Sequence, residues 1–198
     1  MIKFYSYTIK SMGKLTEIAN NQKTDKGTEH YEKHGYTEVY DKYIPETGAY
    51  KLLEIGIWHG DSLRMWKAYN PELEIHAIDI DPNVINHIEH PNPYHIYIGD
   101  QTDPIILDEI VKNGGPFDFI IDDGSHVGHH ITSSFKLLWE HVKPGGYYFI
   151  EDLHASHANK SETIRIITEW VSDKPHFMIL TVNDKLLIIE KKWKSLSS

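Results

Sequence analysis

Residues 117–126 read F-D-F-I-I-D-D-G-S-H, an apolar run that ends abruptly in acid. Phe119, Ile120 and Ile121 form a continuous hydrophobic stretch, the pattern of a strand covered on both faces. Asp122, Asp123, Gly124, Ser125 and His126 follow without a break. The same pattern returns at residues 147–150, a second apolar run that finishes in Glu151 and Asp152. Two parallel strands ending this way hold their carboxylates at one edge of a sheet, and in open α/β sheets that edge binds ligands. Asp123, Glu151 and Asp152 are therefore expected to hold a divalent cation, with His126 beside it as a base. The bland alternatives are that Asp122, Asp123 and Ser125 cap the next helix and that His126 is structural. Glu151 and Asp152 are adjacent, so both reach one ion only if the strand ends between them.

The rest of the chain supports a sheet of this kind. Strands are predicted over 51–57, 74–80, 94–98, 117–121 and 147–150. Helices are predicted over 62–69, with Asp61 or Ser62 as N-cap, and over 83–89, 104–112, 128–142 and 160–172. Lys143-Pro144-Gly145-Gly146 is expected to be a turn. Residues 176–182 and 185–191, joined by Asn183-Asp184, carry a hairpin signal, so one of these last two strands is antiparallel. Alternating strands and helices with short connections predict an α/β, Rossmann-like doubly wound sheet, mostly parallel, with helices on both faces and a C-terminal antiparallel hairpin. That hairpin is a feature of class I methyltransferases rather than of nicotinamide-binding Rossmann domains. Before the sheet, residues 15–22 predict a short helix and Thr24-Asp25-Lys26-Gly27 a polar loop. Tyr36, Val39, Tyr40 and Tyr43 recur at roughly helical spacing within 28–44, and Pro45 closes the stretch. The expected organisation is an N-terminal helical lid over 1–48, one main domain over 49–192 and a tail over 193–198.

The strand ends also suggest a small-molecule site. Glu54-Ile55-Gly56 closes the first strand, but Trp58 stands where G-x-G-x-x-G would place its middle glycine, so a pyrophosphate cradle is poorly supported. Asp79 ends the second strand, where an acid takes ribose hydroxyls. Asp100 and Gln101 follow the third and are placed to meet an adenine, and Asp122 is a further candidate cofactor contact. Together they favour a nucleoside carrying an amino acid, S-adenosylmethionine. A nucleoside-binding protein without chemistry and a Rossmann-type oxidoreductase are the alternatives, the latter disfavoured by the missing glycines. His126 and His130, four residues apart with His129, His154 and His157 nearby, raise a zinc hydrolase. It lacks the glutamate of H-E-x-x-H, and Gly128 weakens the helix start. His34, His76, His87 and His141 are expected at or near the surface.

Composition narrows the partners. The formal charge of −9 gives no general affinity for nucleic acid. Without cysteine, disulfides and thiolate metal sites are excluded. A cation held by carboxylates alone is magnesium, or manganese or calcium, before zinc. No window reaches bilayer length and no signal-peptide core is present, so a cytoplasmic protein acting on a small hydroxylated molecule is expected, with no nucleic acid or membrane partner. Its oligomeric state, a homo-oligomer included, stays open.

Taken in order, T-D-K-G with His30 and Tyr31, L-L-E-I-G with S-L-R-M-W, D-I-D, G-D-Q, I-D-D-G-S-H and P-G-G-Y-Y-F-I-E-D-L resemble the metal-dependent sugar O-methyltransferases of macrolide biosynthesis, the mycinamicin and macrocin enzymes. The similarity runs from residue 24 to about 155. It implies an S-adenosylmethionine- and magnesium-dependent O-methyltransferase acting on a hydroxyl of a sugar or polyol-like molecule. It further implies Asp123, Glu151 and Asp152 as metal ligands and His126 as general base. Glu54, Gly56, Asp79, Asp100 and Gln101 would surround the cofactor. Thr24, Asp25, Lys26, Gly27, His30 and Tyr31 would form part of the lid. The large N-terminal domain of the mycinamicin enzyme is missing from this chain, so the acceptor is the least transferable part.

Overall fold

The computed structural model describes residues 13–30, 32–88, 93–181 and 184–193. Helix α1 (Lys14–Gln22) and the single turn α2 (Thr37–Tyr40) precede the sheet. There follow β1 (Lys51–Ile55), α3 (Asp61–Tyr69), β2 (Glu74–Asp79), β3 (Tyr94–Ile98), α4 (Pro104–Gly114), β4 (Phe117–Asp122), α5 (Gly128–Leu138), β5 (Val142–Ile150), α6 (Lys160–Val171), β6 (His176–Thr181) and β7 (Leu186–Lys191). The seven strands lie in the order β3-β2-β1-β4-β5-β7-β6. Strands β1 to β5 are mutually parallel, and β7 runs antiparallel to both β5 and β6. This is the expected doubly wound sheet with its terminal antiparallel pair. The tip of that hairpin, at 182–183, lies outside the described residues.

Alternation along the strands sorts two cores onto the two faces. Leu52, Ile75, Phe119, Ile121 and Phe149 pack with Leu15 and Ala19 of α1 and Leu63 and Trp66 of α3. Leu53, Ile55, Ile120, Tyr148 and Ile150 pack with Leu107 of α4, Ile131 and Phe135 of α5 and Ile167 of α6. Each fully buried aliphatic or Phe side chain contributes on the order of 1.5–3 kcal/mol. Tyr36, Val39, Tyr40 and Ile44 belong to the first core, so the N-terminal segment shares its hydrophobic interior with the sheet. Tyr40 meets Trp66 and Phe149 edge to face, at centroid distances of 5.3 and 4.9 Å.

Several local expectations are corrected. Among the described residues of 28–44, those outside α2 are turn, bend or irregular, because Lys33 and Gly35 adopt left-handed backbone, φ 53° and 71°, which no α-helix continues through. Neither Asp61 nor Ser62 caps α3. Gly60 holds that position without a side-chain bond, and Asp61 pairs with Arg64 instead. The short helix expected over 83–89 is a 3-10 helix over Pro82–His87, capped by Asp81, and residue 89 lies outside the described residues. Helix α5 stops at Leu138, where a 3-10 turn, Trp139–His141, leads straight into β5. The Lys143–Gly146 stretch is a bulge inside β5: Val142 pairs with Phe117, and Tyr147 already pairs with Phe119.

Candidate active site

Strand register brings the acidic ends together. Ile55 is level with Asp122, and Asp122 with Ile150. Pairing runs one residue further, since Asp123 N–H donates to Ile55 O at 2.9 Å and Glu151 N–H to Asp122 O at 3.0 Å. Asp152 then takes φ 52°, a left-handed turn that ends the strand. That break lets two adjacent acidic side chains approach one region, which a regular strand forbids. Trp58 and His126 are also left-handed, φ 47° and 55°, and all three line one cavity. Non-glycine residues in this conformation cost on the order of 1–3 kcal/mol each and cluster at functional sites.

The cavity has a volume of about 550 Å³, within the range of small-ligand pockets. Gly56, Asp79, Asp100, Gln101, Asp123, His126 and Asp152 line it, with Thr24, Asp25 and Lys26 across from them. Gly56 has φ 93°, and a Cβ there would stand 2.1 Å from Asp123 O, so no other residue fits where β1 and β4 separate.

Asp79 Oδ2 accepts from Ile57 N–H at 2.7 Å and Trp58 N–H at 3.2 Å, and its Oδ1 accepts from Asp81 N–H at 2.9 Å. Asp79 thus shapes the loop that floors the cavity. Asp100 Oδ1 accepts from the backbone N–H and hydroxyl of Thr102, both at 2.8 Å, which holds its carboxyl below the usual range. Gln101 Nε2 donates to Asp122 Oδ1 at 3.1 Å, and its Oε1 accepts from Ser125 N–H at 2.8 Å. Asp122, the further candidate cofactor contact, is not among the residues that line the cavity. It is buried away from the cavity, accepts from Gln101, Ser134 and Tyr148, and braces the turn after β4. Glu54 is also outside the cavity lining, buried and accepting from Trp66 Nε1 at 3.1 Å. Burial lifts its carboxyl to about 7 despite the opposing charge of Lys26.

The N-terminal segment supplies the least expected feature. The Lys26 ammonium is buried against Asp123, 2.8 Å from Glu151 Oε2 and 3.7 Å from Glu54 Oε1. Burial alone would lower its pKa, but the three carboxylates outweigh that and hold it charged. Tyr40 donates to the other oxygen of Glu151, Oε1. Burial and the nearby Asp123 charge push the Glu151 carboxyl up. Tyr36 donates to Asp152 Oδ1. Burial raises Asp152, yet the Tyr36 bond and the facing His34, His126 and Lys26 prevail and hold it below the usual carboxylate range.

Asp123, His126 and Asp152 offer ligand atoms that lie within 4.8 Å of one another. His126 Nε2 is 4.0 Å from Asp123 Oδ1 and 3.7 Å from Asp152 Oδ2. The two carboxylates of this group, without thiols, fit a hard dication, and the cavity they line is of small-ligand size. Gly27 packs behind the cavity against Asn20, His30 is not among its lining residues, and Tyr31 lies outside the described residues. From the sequence, Tyr36 and Tyr40 are expected in a helical lid with no contact to the acidic residues, and His34 at or near the surface, whereas His34 is buried beside Asp152. The signal that could have found them is the run of histidine and tyrosine directly after T-D-K-G.

The sheet order and terminal antiparallel pair, with a cavity over the strand ends, are those of the Rossmann-like methyltransferases. The chain aligns with the MycE methyltransferase from the mycinamycin biosynthetic pathway, solved with Mg, SAH and mycinamycin VI, at TM-score 0.76 and 28% identity, covering 94% of this chain and 55% of that one. Residues 53–153 match the family described as a methyltransferase domain, and the chain belongs to that family. It is similar to the mycinamicin VI 2''-O-methyltransferase of Micromonospora griseorubida, 40% identical over 129 residues, and to the demethylmacrocin O-methyltransferase of Streptomyces fradiae, 42% identical over 129. Each alignment covers 61% of this chain and 32% of the relative, so the chain spans about a third of those proteins' length. Among the described residues no helix is long and apolar enough to cross a membrane.

Proposed function

We propose that this chain is an S-adenosylmethionine- and magnesium-dependent O-methyltransferase acting on a hydroxyl of a sugar or polyol-like small molecule in the cytoplasm. The observation that carries the reading is the meeting of Asp123, Asp152 and His126 in the lining of a cavity of about 550 Å³. The bound partners supply the electrophile and the activation: the sulfonium offers its methyl group, and the dication lowers the pKa of an acceptor hydroxyl.

The chain's own residues do the remainder. Asp123, Glu151 and Asp152 hold the dication, manganese being the alternative ion. His126 Nε2, 4.0 Å from Asp123 Oδ1 and 3.7 Å from Asp152 Oδ2, accepts the hydroxyl proton as the oxygen attacks. Gly56 lets the ligand approach the backbone. Asp79 and Asp100, fixed by their own hydrogen bonds, present their remaining lone pairs to ribose hydroxyls. Gln101 keeps the turn after β4 in place, and Glu54 lies beneath the cofactor's amino-acid end. Thr24, Asp25 and Lys26 close the cavity from the lid side, with Gly27, His30 and Tyr31 completing that segment. Three carboxylates, of Asp123, Glu151 and Glu54, face the single ammonium of Lys26, an excess of negative charge that a dication and a sulfonium would offset. Ordering these groups removes much of the entropic barrier to in-line transfer.

A second reading rests on Lys26. A tethered ammonium already seated against Asp123 and Glu151 could replace the ion, giving a metal-independent enzyme or a nucleoside-binding protein. The deciding experiment incubates the chain with methyl-labelled S-adenosylmethionine and a panel of glycosides, with and without chelator. Label transfer that chelation stops supports the first reading. Transfer unaffected by chelator supports the metal-independent enzyme, and cofactor binding without transfer supports the binding protein.

A further inference from the structure

Glu32, His34 and His154 form a second cluster of ligating side chains, each with a donor atom within 4.8 Å of the others. None of the three lines the cavity. Two come from the segment between α1 and α2 and one from the loop after β5, so the cluster bridges lid and sheet. The His34 imidazole is buried, with Nε2 3.1 Å from Glu32 Oε2 and 3.7 Å from Asp152 Oδ1. His154 Nδ1 lies 3.7 Å from the same Asp152 Oδ1. Donors bonded to a tetrahedral ion at about 2.1 Å stand about 3.4 Å apart, and these separations bracket that spacing. The His34 ring stacks on Tyr36 with centroids 4.9 Å apart and planes 5° off parallel, and Tyr36 in turn bonds Asp152 Oδ1. Two of the donors are thereby oriented in advance, as outer partners orient metal ligands. Asp25, 4.0 Å from His34 Nε2, adds negative charge beside them.

We infer that Glu32, His34, His154 and Asp152 Oδ1 bind an imidazole-preferring divalent ion of the zinc class. Two nitrogen donors select zinc or cobalt over magnesium, which separates this site from the oxygen-rich set proposed above. Asp152 touches both, with Oδ2 facing His126 and Oδ1 facing this cluster. An ion here ties the lid segment to the loop after β5 and fixes one carboxylate of the neighbouring site.

The test uses the whole chain, stripped of metal and held in saturating Mg²⁺, titrated with Co²⁺ and followed by visible absorption. A single Co²⁺ with nitrogen-ligand bands is expected. His154→Ala and Glu32→Gln, both at exposed positions, should each weaken it at least about tenfold with unchanged circular dichroism, while His126→Ala should not. Absence of Co²⁺ uptake, or uptake indifferent to both substitutions, would overturn the site. So would uptake lost only in His126→Ala, which places the ion in the neighbouring set. Because Co²⁺ is read spectroscopically, failure of the magnesium reading leaves this result interpretable.

Discussion

Lys26 Nζ lies 2.8 Å from Glu151 Oε2, and both side chains are buried. Their partnership links the N-terminal segment to the tip of β5. Lys26→Met leaves Glu151, Asp123 and Glu54 without their counter-charge, and stranding a buried charge typically costs about 3–5 kcal/mol. The variant should melt well below the parent. Added Mg²⁺ should restore more stability to it than to the parent, because the ion no longer competes with a tethered ammonium. Thermal unfolding with and without Mg²⁺ reads both effects, and equal Mg²⁺ shifts in the two proteins would contradict the competition.

Tyr36→Phe removes the donor to Asp152 Oδ1 while keeping the ring that stacks on His34. A hydrogen bond to a charged group is worth about 1.5–3 kcal/mol. Stability should fall by that order, and the Asp152 carboxyl should titrate at higher pH. An NMR titration of the Asp152 side chain checks this, and an unmoved titration would refute the assignment.

Glu54 gives a pH dependence with a definite sign. Its folded pKa, about 7, lies above the ordinary 4.5. Between those values the folded state binds more protons than the unfolded one, so this residue's contribution to stability falls as pH rises. At most roughly 3 kcal/mol is at stake across that window. Glu54→Gln should flatten the decline between pH 4.5 and 7. Denaturant unfolding at a series of pH values provides the comparison, and parallel curves would exclude the effect.

His126→Ala should lower turnover about 10²–10⁴-fold and leave S-adenosylhomocysteine affinity unchanged. Single-turnover kinetics together with calorimetry separates the two. Loss of affinity with turnover retained would remove His126 as the base.

The sheet was legible in the sequence because apolar runs ending in Gly or acid are local signals, and 51–55, 117–122 and 147–150 carry them plainly. Parallel register brings the ends of β4 and β5 level, and the left-handed turns at His126 and Asp152 complete the gathering of Asp123, Asp152 and His126. The role of Lys26 was not legible: 97 residues separate it from Asp123, and a lysine in a polar loop normally faces water. Residues 28–44 misled because tyrosine spacing mimics a helix while Lys33 and Gly35 turn left-handed. The bracing role of Asp122 was not legible, because its partners Gln101, Ser134 and Tyr148 come from distant parts of the chain.

The central claim is that the carboxylates at the tips of β4 and β5 seat a magnesium ion for methyl transfer. Calorimetric titration of the metal-free chain with Mg²⁺, in the presence of S-adenosylhomocysteine, tests it most directly. The account predicts saturable binding that Asp123→Asn abolishes without loss of fold. Identical isotherms for parent and variant, or no Mg²⁺ binding to the parent, would contradict it.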